Sequence, residues 1–303
     1  MATYDIIIVG GGPAGLAAGI YTRRAKLSSL LLEKTILGGQ VATADIIENY
    51  PGIQEITGYE LAQRLKEQAE NFGLQIRYAE VTNTRIEEDK ITVVTNEGEY
   101  AGRAIVVASG AELTRLNVKG EREFVGKGVS YCATCDGPFF AGREVVVIGG
   151  GDSAISEALY LSKIAAKVHI VHRRDKLRAE KFNQEKAMKD PKIDFIWNRV
   201  VEEIVGTKMV EKVILKDVKT DVTNDLKIDG VFIYVGRRPN TAFINLAKDE
   251  VGHLKINDVC ETSAKGIFAA GDCTSPRWKQ IATAVGEGVK AAMSAERYVE
   301  SLL

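Results

Sequence analysis

Cys132 and Cys135 are the residues best placed to do chemistry, because only Ala133 and Thr134 separate them and Asp136 follows directly. Two thiols at this spacing can work on a disulfide in turn. The first forms a mixed disulfide and the second resolves it within the same chain. Asp136 can give or take the proton that thiol chemistry moves; an aspartate there also suits the cap of a helix start. Zinc would ask for a second close pair or well-spaced histidines. Cys260 and Cys273 stand thirteen apart and the histidines are His169, His172 and His253, so no metal is expected. Four cysteines in 303 residues are too few for a secreted disulfide framework. Cys260 and Cys273 read as buried free thiols, which pack as small hydrophobes.

The elements that must position this pair come from a duplication on either side of it. Residues 5–34 read DIIIVGGGPAGLAAGIYTRRAKLSSLLLEK, and residues 144–173 read EVVVIGGGDSAISEALYLSKIAAKVHIVHR. Each is a short β-branched strand, a glycine turn, an alanine-rich helix and a second apolar strand. That is the opening of a dinucleotide-binding βαβ unit. Gly10 and Gly149 permit the tight turn, Gly12 and Gly151 let a pyrophosphate approach, and Gly15 and Ala154 let the helix pack on the sheet. Pro13 and Ala14 in one copy, and Asp152 and Ser153 in the other, open the helix whose N-terminus favours phosphate.

The second strands end differently, and the difference assigns the ligands. Glu33 and His172 each stand 23 residues after the first glycine of their copy. Glu33 suits ribose hydroxyls and repels a 2′-phosphate. His172, Arg173, Arg174 and Arg178 instead offer guanidinium forks that grip one. The second copy therefore reads as an NADPH site. The first then reads as an FAD site, since NADPH needs a hydride acceptor.

A chain of 303 residues is comfortable as two domains. Its net charge of −1 supplies no basic field for nucleic acid or anionic lipid, and no run approaches the roughly 20 apolar residues of a membrane span. An apolar run, Ile6 to Val9, begins within a few residues of Met1 and leaves no room for a secretory leader, so a cytoplasmic location is expected. Residues 58–72 form an amphipathic helix with Leu61, Leu65, Ala69 and Phe72 on one face and Gly73 as its stop. Residues 75–108 hold short strands with a turn at Asn96-Glu97-Gly98, a meander able to cover one sheet face. Residues 104–110 and 228–236 are buried strands. Residues 281–300 form a last helix that offers Ile281, Val285, Val289, Met293 and Tyr298 to a core. The run Gly266 to Ala270 leads through Gly271-Asp272 and a Pro276 turn to that helix; residue patterns alone leave open whether this tail rejoins the first domain.

The chain resembles the low-molecular-weight thioredoxin reductases along nearly its whole length. The resemblance rests on GGGPAG at 10–15, GGQ at 38–40, ENYPG at 48–52, CATCDG at 132–137, GGGDSA at 149–154, HRRDKLRAE at 172–180, GRRPN at 236–240 and GIFAAGDC at 266–273. In the larger glutathione-reductase-like enzymes the cysteine pair lies near the first glycine turn instead. The resemblance implies an α/β fold of two Rossmann-like domains, the second inserted into the first. The FAD domain would comprise 1–112 and 242–303, and the NADPH domain, carrying the cysteines, 113–241. It implies a homodimer through the FAD domains. Gly38, Gly39, Gln40, Asn49, Gly110 and Gly271 match positions lining the FAD site. Asp272 matches the aspartate on the flavin ribityl chain, and Lys279, Gln280 and Ile281 match the segment at the pyrimidine end of the ring. Cys135 would face the flavin, Cys132 would attack the disulfide of thioredoxin or a thioredoxin-like protein, and Asp136 would serve as acid–base. Ser156 stands where many relatives carry glutamate, with Glu157 beside it. A bulky protein disulfide cannot enter beneath a flavin, so the domains are expected to rotate between half-reactions. Three rivals stay open: a glutaredoxin-like or other partner, a ferredoxin or flavodoxin oxidoreductase, and a nucleotide sensor without redox chemistry.

Overall fold

A computed structural model describes residues 3–44, 46–87, 90–274 and 278–302, and the expected Pro276 turn lies outside them. The chain separates into two compact units, Met1–Glu112 with Arg238–Leu303 and Leu113–Arg237. The second crossing thus falls between 237 and 238 rather than between 241 and 242.

In unit one, β1 (Thr3–Val9), α1 (Pro13–Arg24) and β2 (Ser29–Glu33) are followed by α2 (Gly58–Asn71), β3 (Gln75–Tyr78), β4 (Val81–Ile86), β5 (Ile91–Thr95) and β6 (Gly98–Val107). The sheet order is β3-β2-β1-β6-β5-β4. The ten-residue β6 explains the mixture of directions. Its second half runs parallel to β1 and its first half antiparallel to β5. Period-two alternation serves two faces. Ile6, Ile8, Leu31, Ala104 and Val106 share a core with α1 and α2, while Ile7, Val9, Leu30 and Leu32 share one with Ile91 and Val93 of the meander. The meander therefore covers one face, as its composition suggests, while staying hydrogen-bonded to the sheet through β6. Thr57 caps α2 by accepting from the Glu60 N–H at 3.2 Å, and Gly73, at φ +81°, follows its end.

The C-terminal segment rejoins this unit. Strand β17 (Ile267–Ala269) pairs in parallel with β6, and α6 (Ile281–Glu300) lies on α1. The buried face of α6 is Ala284, Gly288, Ala291, Ala292, Ala295 and Val299. Of the larger residues expected there, Ile281 and Tyr298 are half-buried and pack against the core, whereas Met293 is 44% exposed and corrects the expectation. The reason is steric. A β-carbon on Gly288 would stand 2.1 Å from the Ala14 carbonyl oxygen, so only the small-residue stripe lets the two helices meet.

Unit two repeats the plan. It is entered through β7 (Ala111–Leu113) and left through β16 (Arg237–Pro239), which pair with each other. Between them lie β8 (Val129–Ser130), α3 (Ala133–Asp136), β9 (Glu144–Gly149), α4 (Asp152–Ser162), β10 (Lys167–His172), α5 (Lys181–Lys189), β11 (Ile193–Trp197), β12 (Arg199–Gly206), β13 (Val210–Asp217), β14 (Thr223–Lys227) and β15 (Gly230–Tyr234). The parallel sheet runs β11-β10-β9-β15-β8, the same path as β3-β2-β1-β6-β17. Val145 and Val147 face α4, and Val146 and Ile148 face the antiparallel β12-β13-β14 layer. The sequence duplication is a duplication of fold.

Candidate functional site

The first glycine turn leaves β1 at Gly10, whose φ of +105° suits glycine. A β-carbon there would lie 2.3 Å from the Ala108 carbonyl oxygen, and one on Gly15 would lie 1.8 Å from the Gly10 carbonyl oxygen. Those two glycines serve the fold. Gly12 is different: it caps α1 in extended backbone, and a β-carbon on it would meet no atom within 4 Å among the described residues. Pro13 opens the helix and Ala14 is buried behind it. Glu33, 8% exposed, accepts from the Gly11 N–H at 2.7 Å and the Thr35 N–H at 2.8 Å. Its carboxylate is thus fixed against the glycine turn.

Of the other expected residues of this site, Gly38 and Gly39 meet the same turn and Gly271 meets the start of α1. The Gly38 N–H donates to the Gly11 carbonyl at 2.7 Å, and a β-carbon on Gly39 would lie 3.5 Å from the Gly12 Cα. Gln40 Nε2 donates to the Ala111 carbonyl, beside Gly110 at φ +64°. Asn49 Nδ2 donates to Gln280 Oε1 at 3.2 Å, where Gln280 caps α6 just before Ile281 and just after Lys279. Gly271, at φ +77°, packs on Ala14, and Asp272 follows it half-buried. Motif matching missed Glu287 of α6, which accepts from the Gly271 N–H at 2.7 Å.

The second turn repeats the contrast. A β-carbon on Gly149 would lie 2.4 Å from the Tyr234 carbonyl oxygen, whereas one on Gly151 would meet nothing within 4 Å among the described residues. Where Glu33 holds Gly11 in the first copy, the His172 ring packs on Gly150, within 2.5 Å of where a β-carbon would be. His172 Nε2 lies 3.1 Å from the Lys176 carbonyl oxygen. Burial holds the imidazole below the ordinary histidine range; the Lys176 bond opposes this and the charges of Arg178, Arg174 and Arg173 add to it. Burial thus disfavours a charge on His172, first among these causes. Arg173, Arg174 and Arg178 are exposed, and the loop carrying them is laid along the turn by the Arg178 and Ala179 N–H groups, which donate to the Gly150 carbonyl. Asp152 Oδ1 accepts from the Glu180 N–H at 2.7 Å, and Ser153 Oγ accepts from Arg237 Nη2 at 3.1 Å. These two side chains brace the loop and β16. Ala154 is buried behind the turn, Ser156 is exposed and Glu157 is half-buried.

The redox turn lies between β8 and α3. Cys132 and Cys135 form a disulfide with Cα atoms 5.3 Å apart; Cys132 is half-buried and Cys135 exposed. Cys132 caps α3, its Sγ accepting from the Cys135 N–H at 3.2 Å, with Thr134 Oγ1 at 3.3 Å. The Ala133 N–H donates to the Tyr234 hydroxyl at 2.9 Å. Burial, then the charge of Glu157, pushes that phenol far above its ordinary range, so it stays a neutral hydroxyl. The Asp136 side chain makes no cap hydrogen bond to the 3-10 turn Gly137–Phe140 that follows. Cys260 and Cys273 are free and buried, and burial pushes each thiol up to about 11. No helix among the described residues is long and apolar enough to cross a membrane.

A chain with two glycine turns and a cysteine pair between them has clear relatives. Residues 4–288 match the pyridine nucleotide-disulphide oxidoreductase family, and the chain belongs to it. An enzyme of this family works with a flavin and a nicotinamide nucleotide on a disulfide. The chain is 47% identical to the thioredoxin reductase of Bacillus subtilis over 302 residues, which cover 99% of this chain and 96% of that one. The crystal structure of Lactococcus lactis thioredoxin reductase matches with a TM-score of 0.97 at 43% identity, covering 98% of this chain and 99% of that one. The thioredoxin reductase of T. acidophilum matches at 0.95 and 38% identity, over the full length of both.

Proposed function

We propose that this chain is a cytoplasmic thioredoxin-disulfide reductase that moves electrons from NADPH through FAD to Cys132–Cys135 and on to oxidised thioredoxin. The carrying observation is the disulfide itself: two cysteines bonded on a half-open turn, between two glycine turns. Unit one is the FAD domain. Gly12 leaves the approach to α1 clear, Glu33 meets ribose hydroxyls, Asp272 meets the ribityl chain, and Lys279 to Ile281 flank the pyrimidine end. Unit two is the NADPH domain. Gly151 leaves the approach to α4 clear, and Arg173, Arg174 and Arg178 take the 2′-phosphate. Bound FAD supplies the two-electron relay from NADPH to the disulfide.

The chain's own residues carry the second half-reaction. Once the Cys132–Cys135 bond is reduced, the Cys135 N–H and Thr134 Oγ1 favour a thiolate at Cys132. That thiolate attacks one sulfur of the partner's disulfide and expels the other as a thiolate, leaving a mixed disulfide. Cys135 then attacks Cys132 Sγ, restores the internal bond and releases the second partner sulfur. Asp136 holds the proton needed by the departing thiolates and accepts the one Cys135 gives up. Serving the flavin, the nicotinamide and a protein partner in turn requires the units to reorient, with the paired β7 and β16 as the hinge. The enzyme acts as a homodimer through unit one, where Tyr21 of α1 and Met293 of α6 leave apolar surface exposed.

The test is an anaerobic titration of the yellow protein. NADPH should bleach the flavin at concentrations where NADH does not, and oxidised thioredoxin should restore the colour. Bleaching without recovery by thioredoxin would move the partner to a glutaredoxin-like protein, ferredoxin or flavodoxin. A colourless protein would leave only a nucleotide sensor.

A further inference from the structure

Glu287 lies outside every motif that points to nucleotide binding, yet its carboxylate holds one of their turns. The turn follows β17. Ala270 is extended, Gly271 swings to φ +77°, and the 3-10 turn Gly271–Cys273 carries Asp272. Glu287 Oε2 accepts from the Gly271 N–H at 2.7 Å, and Thr274 Oγ1 lies 3.4 Å from the same oxygen. Both ends of the Asp272 turn therefore meet one side chain.

The surrounding backbone leaves that side chain little choice of reach. One residue on, Gly288 brings α6 against α1 so closely that a β-carbon would stand 2.1 Å from the Ala14 carbonyl oxygen. A β-carbon on Gly271 would in turn lie 3.1 Å from the Ala14 β-carbon. Three segments thus meet at one place: α1 just after its glycine turn, α6 at Gly288, and the Asp272 turn. Glu287 is half-buried there, and its carboxyl sits above the ordinary range chiefly because of that burial. A buried acid without a structural task would be a liability, whereas one accepting a backbone N–H fixes geometry.

We propose that Glu287 is a positioning residue of the flavin site, tying the turn that carries Asp272 to α6 and thereby to the first glycine turn. The inference rests on the reading of unit one as the FAD domain. Glu287 needs no contact with the flavin for this role. It acts through Asp272 by fixing the Gly271 N–H, and what it needs is an acceptor oxygen at the right reach, not a negative charge.

Three substitutions separate these ideas: Glu287→Gln keeps an acceptor at full reach without charge, Glu287→Asp keeps charge at shorter reach, and Glu287→Ala keeps neither. The readout is the dissociation constant of FAD for each apoprotein, from quenching of flavin fluorescence, with the flavin absorption band shape as a second signature. Leaving the part-buried Gly271 N–H without its acceptor should weaken FAD roughly tenfold in the Ala and Asp variants. The Gln variant should stay within about threefold of wild type, since its amide oxygen still accepts the N–H. Wild-type affinity in the Ala variant overturns the inference. If that variant does not fold, the order of the other two decides: Asp retained and Gln lost would make charge the cause and overturn it equally. A wild-type protein that takes up no FAD would instead overturn the reading of unit one, and this inference with it.

Discussion

Gly151→Ala and Gly149→Ala, two residues apart, should separate ligand binding from folding. Gly151 has φ −100° and ψ −178°, a conformation any residue adopts, and a β-carbon there would meet nothing within 4 Å among the described residues. Replacing a cap glycine by alanine weakens the helix start by some tenths of a kcal/mol to about 1 kcal/mol. Stiffening the unfolded chain returns about 0.4–1 kcal/mol. The fold should therefore keep its stability to within about 1 kcal/mol. The methyl group, however, fills the space through which a pyrophosphate approaches α4. Losing one charge-assisted bond there, about 1.5–3 kcal/mol, raises the dissociation constant of NADP+ roughly 10- to 150-fold. Gly149→Ala should behave oppositely, because its φ is +153° and its β-carbon would press on the Tyr234 carbonyl oxygen at 2.4 Å. Backbone strain of about 1–3 kcal/mol, with the overlap added, should appear as a lowered melting temperature. The assays are thermal unfolding without ligand and calorimetric titration with NADP+. Wild-type NADP+ affinity in Gly151→Ala, or a melting temperature as low as that of Gly149→Ala, would show that the second glycine serves packing and not a phosphate.

Neutralising Arg173, Arg174 and Arg178 together should raise the Michaelis constant for NADPH far more than that for NADH; equal increases would remove the 2′-phosphate clamp. Asp136→Asn should slow thioredoxin turnover by roughly 10²–10⁴, the range for an acid–base group, and an unimpaired rate would leave Asp136 without a chemical role. Native oxidised protein should resist iodoacetamide at pH 8, because thiols pushed up to about 11 carry almost no thiolate there. Labelling should rise only as pH climbs towards that value, and should reach two thiols per chain in denaturant and four after reduction. Fast labelling of Cys260 or Cys273 at pH 8 would show that burial does not protect them.

Much of the fold and of both glycine turns is legible in the residues, because each rests on local constraints. The alternation in β1, the positive-φ glycines and the matched spacing to Glu33 and His172 belong to single βαβ units, and a local pattern encodes them. Packing between distant segments is less visible. The pattern of α6 draws attention to Ile281, Val285, Val289, Met293 and Tyr298; Ile281 and Tyr298 do pack against the core, yet the fully buried face is a stripe of alanine and glycine closed by Val299, since the close approach of α1 rewards the absence of side chains. Glu287 lies in no motif, and only the return of α6 to Gly271 gives it a partner. Tyr234 is similar: it reads as one apolar residue in β15, and the fold brings its hydroxyl to the Ala133 N–H between the two cysteines. Asp136 could be a cap or an acid by type; that its side chain makes no cap hydrogen bond to the following 3-10 turn is a fact of the fold and not of the pattern.

The passage of electrons out through Cys132 is tested most directly by trapping. Fully reduced Cys135→Ser protein, mixed with oxidised thioredoxin, should accumulate a one-to-one covalent adduct through Cys132 that mass spectrometry identifies and dithiothreitol reverses. The same treatment of Cys132→Ser should yield none. An adduct formed equally well without Cys132, or undiminished thioredoxin reduction in either variant, would mean that the electrons leave by another route.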